Sequence, residues 1–405
     1  MQTASIPIVR DIVLVGGGHS HVGVLRYFAM HPQPGVRLTV VCTDAHTPYS
    51  GMLPGYVAGH YSYDEVHIDL CRLCAAIGAR FIQAEVTGLD RTARTVLLRD
   101  RPALRYDLVS INTGSTPQTN VKGAAEHSVP VKPITGFNQR WLALLARAQT
   151  HAGPLRIAIV GGGAGGVELT LAMQHRLRQV VAPTSTLDFA LFTAGDLLPT
   201  HNPGVRRRFA DVLARRGVQV QTHTEVAEVQ EGRLRTAQGN WHEADEVLWV
   251  TQARGGAWLE GTGLALDAQG CIRLNANLQS ISDPLVFSAG DVASLEDQPL
   301  EKAGVFAVRM GMPLARNLQR ALQQQAAHSV PPATPLAGPD QHRRPLCRGL
   351  AWRAGFCGRL GLALERPDRP ALYARFFGRG YARRCSPWKR VFLQHLAAPA
   401  PTHWA

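Results

Sequence analysis

Residues 11–16, DIVLVG, form a short apolar run closed by glycine, the pattern of a strand buried on both faces of a parallel sheet. A helix is expected over 20–30 and a second strand over 36–44, VRLTVVCTD, completing a β-α-β unit. Residues 64–78 read as a helix, 79–98 as strands joined by turns, and 106–117, YDLVSINTGSTP, as a strand entering a Gly/Pro loop.

The pattern then restarts. A strand is expected over 155–160, a glycine loop follows, then a helix over 166–180 and a strand within 186–199. The segment 242–252, HEADEVLWVTQ, echoes 106–117, so two similar units lie about 145 residues apart. Residues 284–294, PLVFSAGDVAS, form a further strand ending near Gly290-Asp291, and a helix is expected over about 303–324. A Pro/Ala-rich linker then leads into a basic tail.

At 405 residues, with 39 glycines and 45% hydrophobic residues, the chain fits an α/β enzyme of two or three domains rather than a disordered polymer. No signal peptide and no apolar run of membrane-spanning length is read from it. Seven scattered cysteines suit a reducing cytoplasm. The charge is uneven. Between Arg343 and Arg390, thirteen Lys and Arg face only Glu365 and Asp368, so this segment carries +11 of the net +13. Such a tail favours anionic partners.

The second loop, VGGGAGGVE from Val160 to Glu168, sets Gly161, Gly163 and Gly166 at the dinucleotide-binding spacing. The first glycine permits the tight turn, the second lets backbone approach a pyrophosphate, and the third lets helix and strand pack closely. The first loop, VGGGHSHV from Val15 to Val22, supplies Gly16 and Gly18 but has His21 where the third glycine belongs. Gly23 is expected to restore some close packing there. His19 and His21 as a metal pair is disfavoured, because no third ligand is in view. The acid that usually follows the second strand and binds ribose is replaced by Thr193 in the second unit, leaving NAD against NADP open. In the first unit that position is Cys42, and Asp44 reads equally as a ribose ligand or a solvated loop acid.

With two such units and VFSAGDVA, the chain over about residues 8–325 resembles the flavoproteins with two dinucleotide-binding domains, the superfamily of pyridine nucleotide-disulfide reductases and type II NADH dehydrogenases. The resemblance implies an α/β fold of two Rossmann-like domains: an FAD domain over 8–145 and 266–325, with an NAD(P)H domain over 146–265 inserted. A linker over 326–341 and a basic extension over 342–405 follow. It implies FAD held by Gly16, Gly18, Thr113, Gly114 and Gly290, with Asp291 on the ribityl chain and Val86 meeting adenine through its backbone. His19 and His21 are expected around the FAD phosphates, or His19 at the flavin. Pro48 to Pro54 would wall the isoalloxazine. Glu168 would lie at the nicotinamide–flavin contact, and the Lys302 charge would stabilise reduced flavin, with a solvated lysine as the lesser alternative. INTGS at 111–115 matches the usual ATGS, whereas Gln252 departs from the expected glycine of the second copy. GGGHSHV, TPYSGMLPGYVAGHY and VPVKPI also look like the flavoprotein domain fused to selenide, water dikinase in some bacteria.

Disulfide reductases carry a cysteine pair after the second strand, but residues 46–60 hold none. Cys71 and Cys74 fall on the expected helix and read as incidental rather than as a redox or metal pair. No cysteine lies between Cys74 and Cys271, which argues against sulfide:quinone reduction. The expected function is therefore hydride transfer from NAD(P)H to flavin and onward to a quinone-like acceptor. A reductase of a soluble selenium or sulfur species, or a slow-turnover sensor, remain as alternatives. The tail, which interleaves arginine with Trp352, Tyr373, Phe377 and Trp388, suits peripheral binding to an anionic membrane at its cytoplasmic face, or no specific partner, better than nucleic acid. A homodimer stays open.

Overall fold

The structure is a computed structural model and describes residues 7–325, apart from 118, 119, 252 and 298–301. The linker, the basic tail and Gln252 lie outside the described residues.

The first unit is built on an eight-stranded sheet. Five of its strands run parallel, in the order Asp283–Ser288, Leu108–Ile111, Arg10–Val15, Val36–Cys42 and Arg80–Gln83. Ile12, Val13 and Leu14 have no exposed surface, as a strand covered on both faces requires. Helices His19–Met30 and Gly304–Leu322 cross closely beside it. A Cβ on Gly23 would sit 3.1 Å from the Gly311 Cα, and Ser20 Oγ donates to the Ala307 carbonyl at 2.6 Å. Gly23 thus serves a helix–helix crossing.

The second unit repeats the plan with five parallel strands, in the order Val129–Pro130, Glu246–Trp249, Gly153–Val160, Ser185–Phe192 and Val218–Gln221. In both units the strand before the glycine loop pairs with the strand after the helix on one side and a later return strand on the other. The chain passes between the units where Thr116–Pro117 pairs antiparallel with Ala253–Arg254. Helix Ile134–Thr150 buries Phe137 and Trp141 in the second core, whereas Leu259 and Leu264 pack in the first. The chain thus crosses between the two units close to these paired strands.

The helix expected over 64–78 is broken. His67–Asp69 is extended and pairs with His46–Pro48. Asp69 then caps a new helix, Leu70–Ala76, by accepting from the Arg72 amide at 2.9 Å.

Candidate functional site

The two glycine loops share one construction. Gly16 (φ +94°) turns where a Cβ would lie 2.4 Å from the Asn112 carbonyl oxygen, and Gly161 (φ +131°) where it would lie 2.3 Å from that of Val250. Neither position admits a side chain. Gly17 is seated over Leu70 and Cys42, and Gly162 over Thr193, which places Cys42 and Thr193 at equivalent strand ends. Gly18 and Gly163 are the N-cap residues of helices His19–Met30 and Ala164–Val180, and neither cap has a side-chain hydrogen bond. Each helix thus presents first-turn amides and the positive end of its dipole to an anion. The cradle fits a dinucleotide pyrophosphate in both units.

The third position differs. A Cβ on Gly166 would sit 1.9 Å from the Gly161 carbonyl oxygen. Its counterpart, His21, instead donates from Nδ1 to the Gly16 carbonyl at 2.7 Å, and its Nε2 accepts from Ser110 Oγ at 2.9 Å. The ring is 1% exposed, and burial lowers its pKa to about 4, so it is neutral. Both nitrogens are committed to protein groups. In this structure His21 thus acts as an internal strut of the loop. His19 is half-buried, with its ring centroid 4.8 Å from that of Tyr49 and its pKa likewise lowered to about 4 by burial.

Tyr49 and Ser50, just past Pro48, abut the start of helix Gly304–Leu322. A Cβ on Gly304 would lie 2.7 Å from Ser50 Oγ and 3.2 Å from the Tyr49 ring. Gly114 (φ +73°) and the exposed Thr113 extend the loop after Leu108–Ile111. Gly290 (φ +74°) closes on the Asn112 side chain. Asp291 accepts from Lys132 Nζ at 2.5 Å and from Ser115 Oγ at 3.3 Å. Lys132 escaped the sequence reading, since 159 residues separate it from Asp291. Lys302 donates to the Ala293 carbonyl at 2.5 Å and shares the lining of a small cavity with Gly290, Asp291 and Phe306. Asp44 accepts from Thr135 Oγ1 at 3.0 Å, which ties it to the second unit. Val86 begins the antiparallel strand Val86–Asp90, close past the edge of the first sheet, where the Ala84 amide donates to the Cys42 carbonyl at 3.0 Å.

Glu168 stands in the second turn of helix Ala164–Val180, half-buried, with no hydrogen-bond or ion-pair partner among the described residues. Burial pushes its pKa up to about 7. Past Thr193 the nearest acid, Asp196, is held by Arg206 at 2.6 Å and His223 at 3.1 Å. Cys74 is buried, its thiol pushed up to about 12 by burial, while Cys71 is exposed, which disfavours a thiolate pair. No metal-binding cluster occurs among the described residues. Nor is any described helix long and apolar enough to cross a membrane.

Residues 10–324 match the family model described as pyridine nucleotide-disulphide oxidoreductase. An NADH dehydrogenase-like protein of Mycobacterium tuberculosis is 27% identical over 276 residues, covering 62% of this chain and 66% of that protein. The demethylphylloquinone reductase of a Synechocystis strain is 29% identical over 243 residues, 58% of each chain. The match thus spans less than two thirds of either relative. The sulfide:quinone oxidoreductase structure from Aquifex aeolicus shares the fold, with a TM-score of 0.64 at 18% identity over 78% of each chain.

Proposed function

The chain belongs to the pyridine nucleotide-disulphide oxidoreductase family, and on that premise we propose that it is an FAD-containing NAD(P)H oxidoreductase with a quinone-like electron acceptor. The observation that carries this reading is the cradle built twice, with Gly16 against Asn112 and Gly161 against Val250. FAD is assigned to the first loop, with Asp291 and the Tyr49–Ser50 turn beside it, and NAD(P)H to the second. Hydride transfer and onward electron delivery are chemistry the bound cofactors supply. The chain's part is to hold them, exclude water and manage protons. Glu168, with no partner among the described residues and titrating near neutrality, can take or release a proton at its carboxyl as the nicotinamide site fills. Lys132 holds the Asp291 carboxylate in place through an ion pair. The names of the two relatives, an NADH dehydrogenase-like protein and a quinone reductase, favour a quinone over a disulfide as acceptor, and the Cys71–Cys74 geometry agrees. The basic tail is assigned to peripheral contact with an anionic membrane.

An anaerobic titration tests this. Purified protein reconstituted with FAD should bleach with NADH or NADPH and recover its colour on adding a quinone. A chain that takes up no FAD, or bound flavin that neither nucleotide reduces, sinks the reading. Bleaching without recovery by any quinone removes the acceptor.

A further inference from the structure

Just past the C-terminal end of strand Leu108–Ile111, between the two loops of the first unit, lies the buried polar side chain of Asn112. Asn112 is 3% exposed, and its Nδ2 has no hydrogen-bond partner among the described residues. Burying an amide N–H without an acceptor is unfavourable, and such groups are rare in folded proteins. Both neighbouring loops make room for this amide. A Cβ on Gly18 would lie 2.4 to 2.5 Å from its Oδ1, Cγ and Nδ2, and a Cβ on Gly290 would lie 2.6 Å from its Oδ1. Two glycines thus admit one asparagine where the phosphate-facing helix start meets the loop that carries Asp291.

The second unit provides an internal comparison. Val250 holds the equivalent place, since its carbonyl faces Gly161 as that of Asn112 faces Gly16, and among the described residues no atom lies within 4 Å of a Cβ on Gly163. The amide is therefore particular to the first loop and is not a requirement of the repeated fold.

We propose that Asn112 is a cofactor-binding residue, whose Nδ2–H donates to the oxygen-rich linker of the dinucleotide held between the Gly18 and Gly290 loops. This rests on the assignment of FAD to the first loop. A bound oxygen would complete the orphaned donor, and it would let the first unit discriminate by a side chain where the second relies on backbone amides.

The test is FAD and NADH affinity of the full-length chain, stripped of flavin and titrated by fluorescence, with melting temperatures of the stripped proteins alongside. Loss of one hydrogen bond to a charged acceptor weakens binding by about 10- to 100-fold. Asn112→Ala should show that loss for FAD, Asn112→Asp a larger one through repulsion of phosphate, and Asn112→Ser a smaller one because it keeps a donor. NADH affinity and the melting temperature of the stripped Ala variant should stay close to the parent. FAD affinities within twofold of the parent overturn the assignment. Parallel loss of FAD and NADH binding with a lowered melting temperature makes Asn112 a packing residue and also overturns it. A parent chain that binds no FAD overturns both this assignment and the reading beneath it.

Discussion

The Nδ1 of His21 lies 2.7 Å from the carbonyl oxygen of Gly16, so the sixth residue of the first glycine loop fastens the first. In the second loop the same carbonyl, on Gly161, presses against a bare Gly166 at 1.9 Å from where a Cβ would be. Equivalent positions thus close the same turn by two means, a side-chain bond in one loop and backbone contact in the other.

Replacing His21 with alanine should destabilise the fold by about 2 kcal/mol, because it leaves Gly16 and Ser110 without their buried partner. FAD retention should fall with it. Chemical denaturation and the flavin-to-protein ratio check both; an unchanged unfolding midpoint would contradict the strut.

The same ring sets an acid limit. The folded pKa of about 4 lies below the unfolded 6.5, so the stabilisation from keeping His21 neutral is complete above pH 6.5 and disappears as pH falls through 4. At about 1.4 kcal/mol per pKa unit it amounts to about 3 kcal/mol. Melting temperatures from pH 7 to 4 should fall more steeply in the parent than in His21→Ala.

Glu168 carries the opposite sign. Its pKa, raised to about 7, makes the protonated form the favoured one in the fold. That stabilisation is present below pH 4.5 and is lost as pH rises through 7. Glu168→Gln should melt higher than the parent at pH 8 and equally at pH 4. The pH dependence of flavin reduction by NADH should lose its limb near 7 in this variant.

Gly163 and Gly166 separate folding from binding. Gly166→Ala forces a Cβ into the Gly161 carbonyl and should disorder the second loop, costing several kcal/mol. Gly163→Ala meets nothing within 4 Å among the described residues and should leave the melting temperature unchanged while weakening NADH binding at least tenfold. Equal NADH affinity in Gly163→Ala would mean that no pyrophosphate approaches this loop.

Lys132 neutralises Asp291 across the two units. Lys132→Met should lower FAD affinity by about 10-fold and stability by about 1–3 kcal/mol, because it strands a half-buried carboxylate. Lys132→Arg should recover part of each. Flavin content after gel filtration is the readout.

The glycine spacing, the apolar strands before it and the 145-residue repeat were legible in the chain because each depends on neighbours in sequence. A turn at Gly16 or Gly161 is a local backbone matter, and a strand covered on both faces shows itself as an unbroken apolar run. These alone determined two β-α-β units and two glycine-capped helix starts. The helix expected over 64–78 failed because its pattern could not register that His67–Asp69 would pair with His46–Pro48. What only the tertiary structure decided were the side-chain partners. His21 meets Ser110 across 89 residues, Lys132 meets Asp291 across 159, and Gly290 closes on Asn112 from the turn that follows a strand late in the chain. Sheet order brings these residues together, and sheet order is a global property. For the same reason His21 read as a flaw in a fingerprint along the chain, whereas in the fold it is the bond that holds the loop.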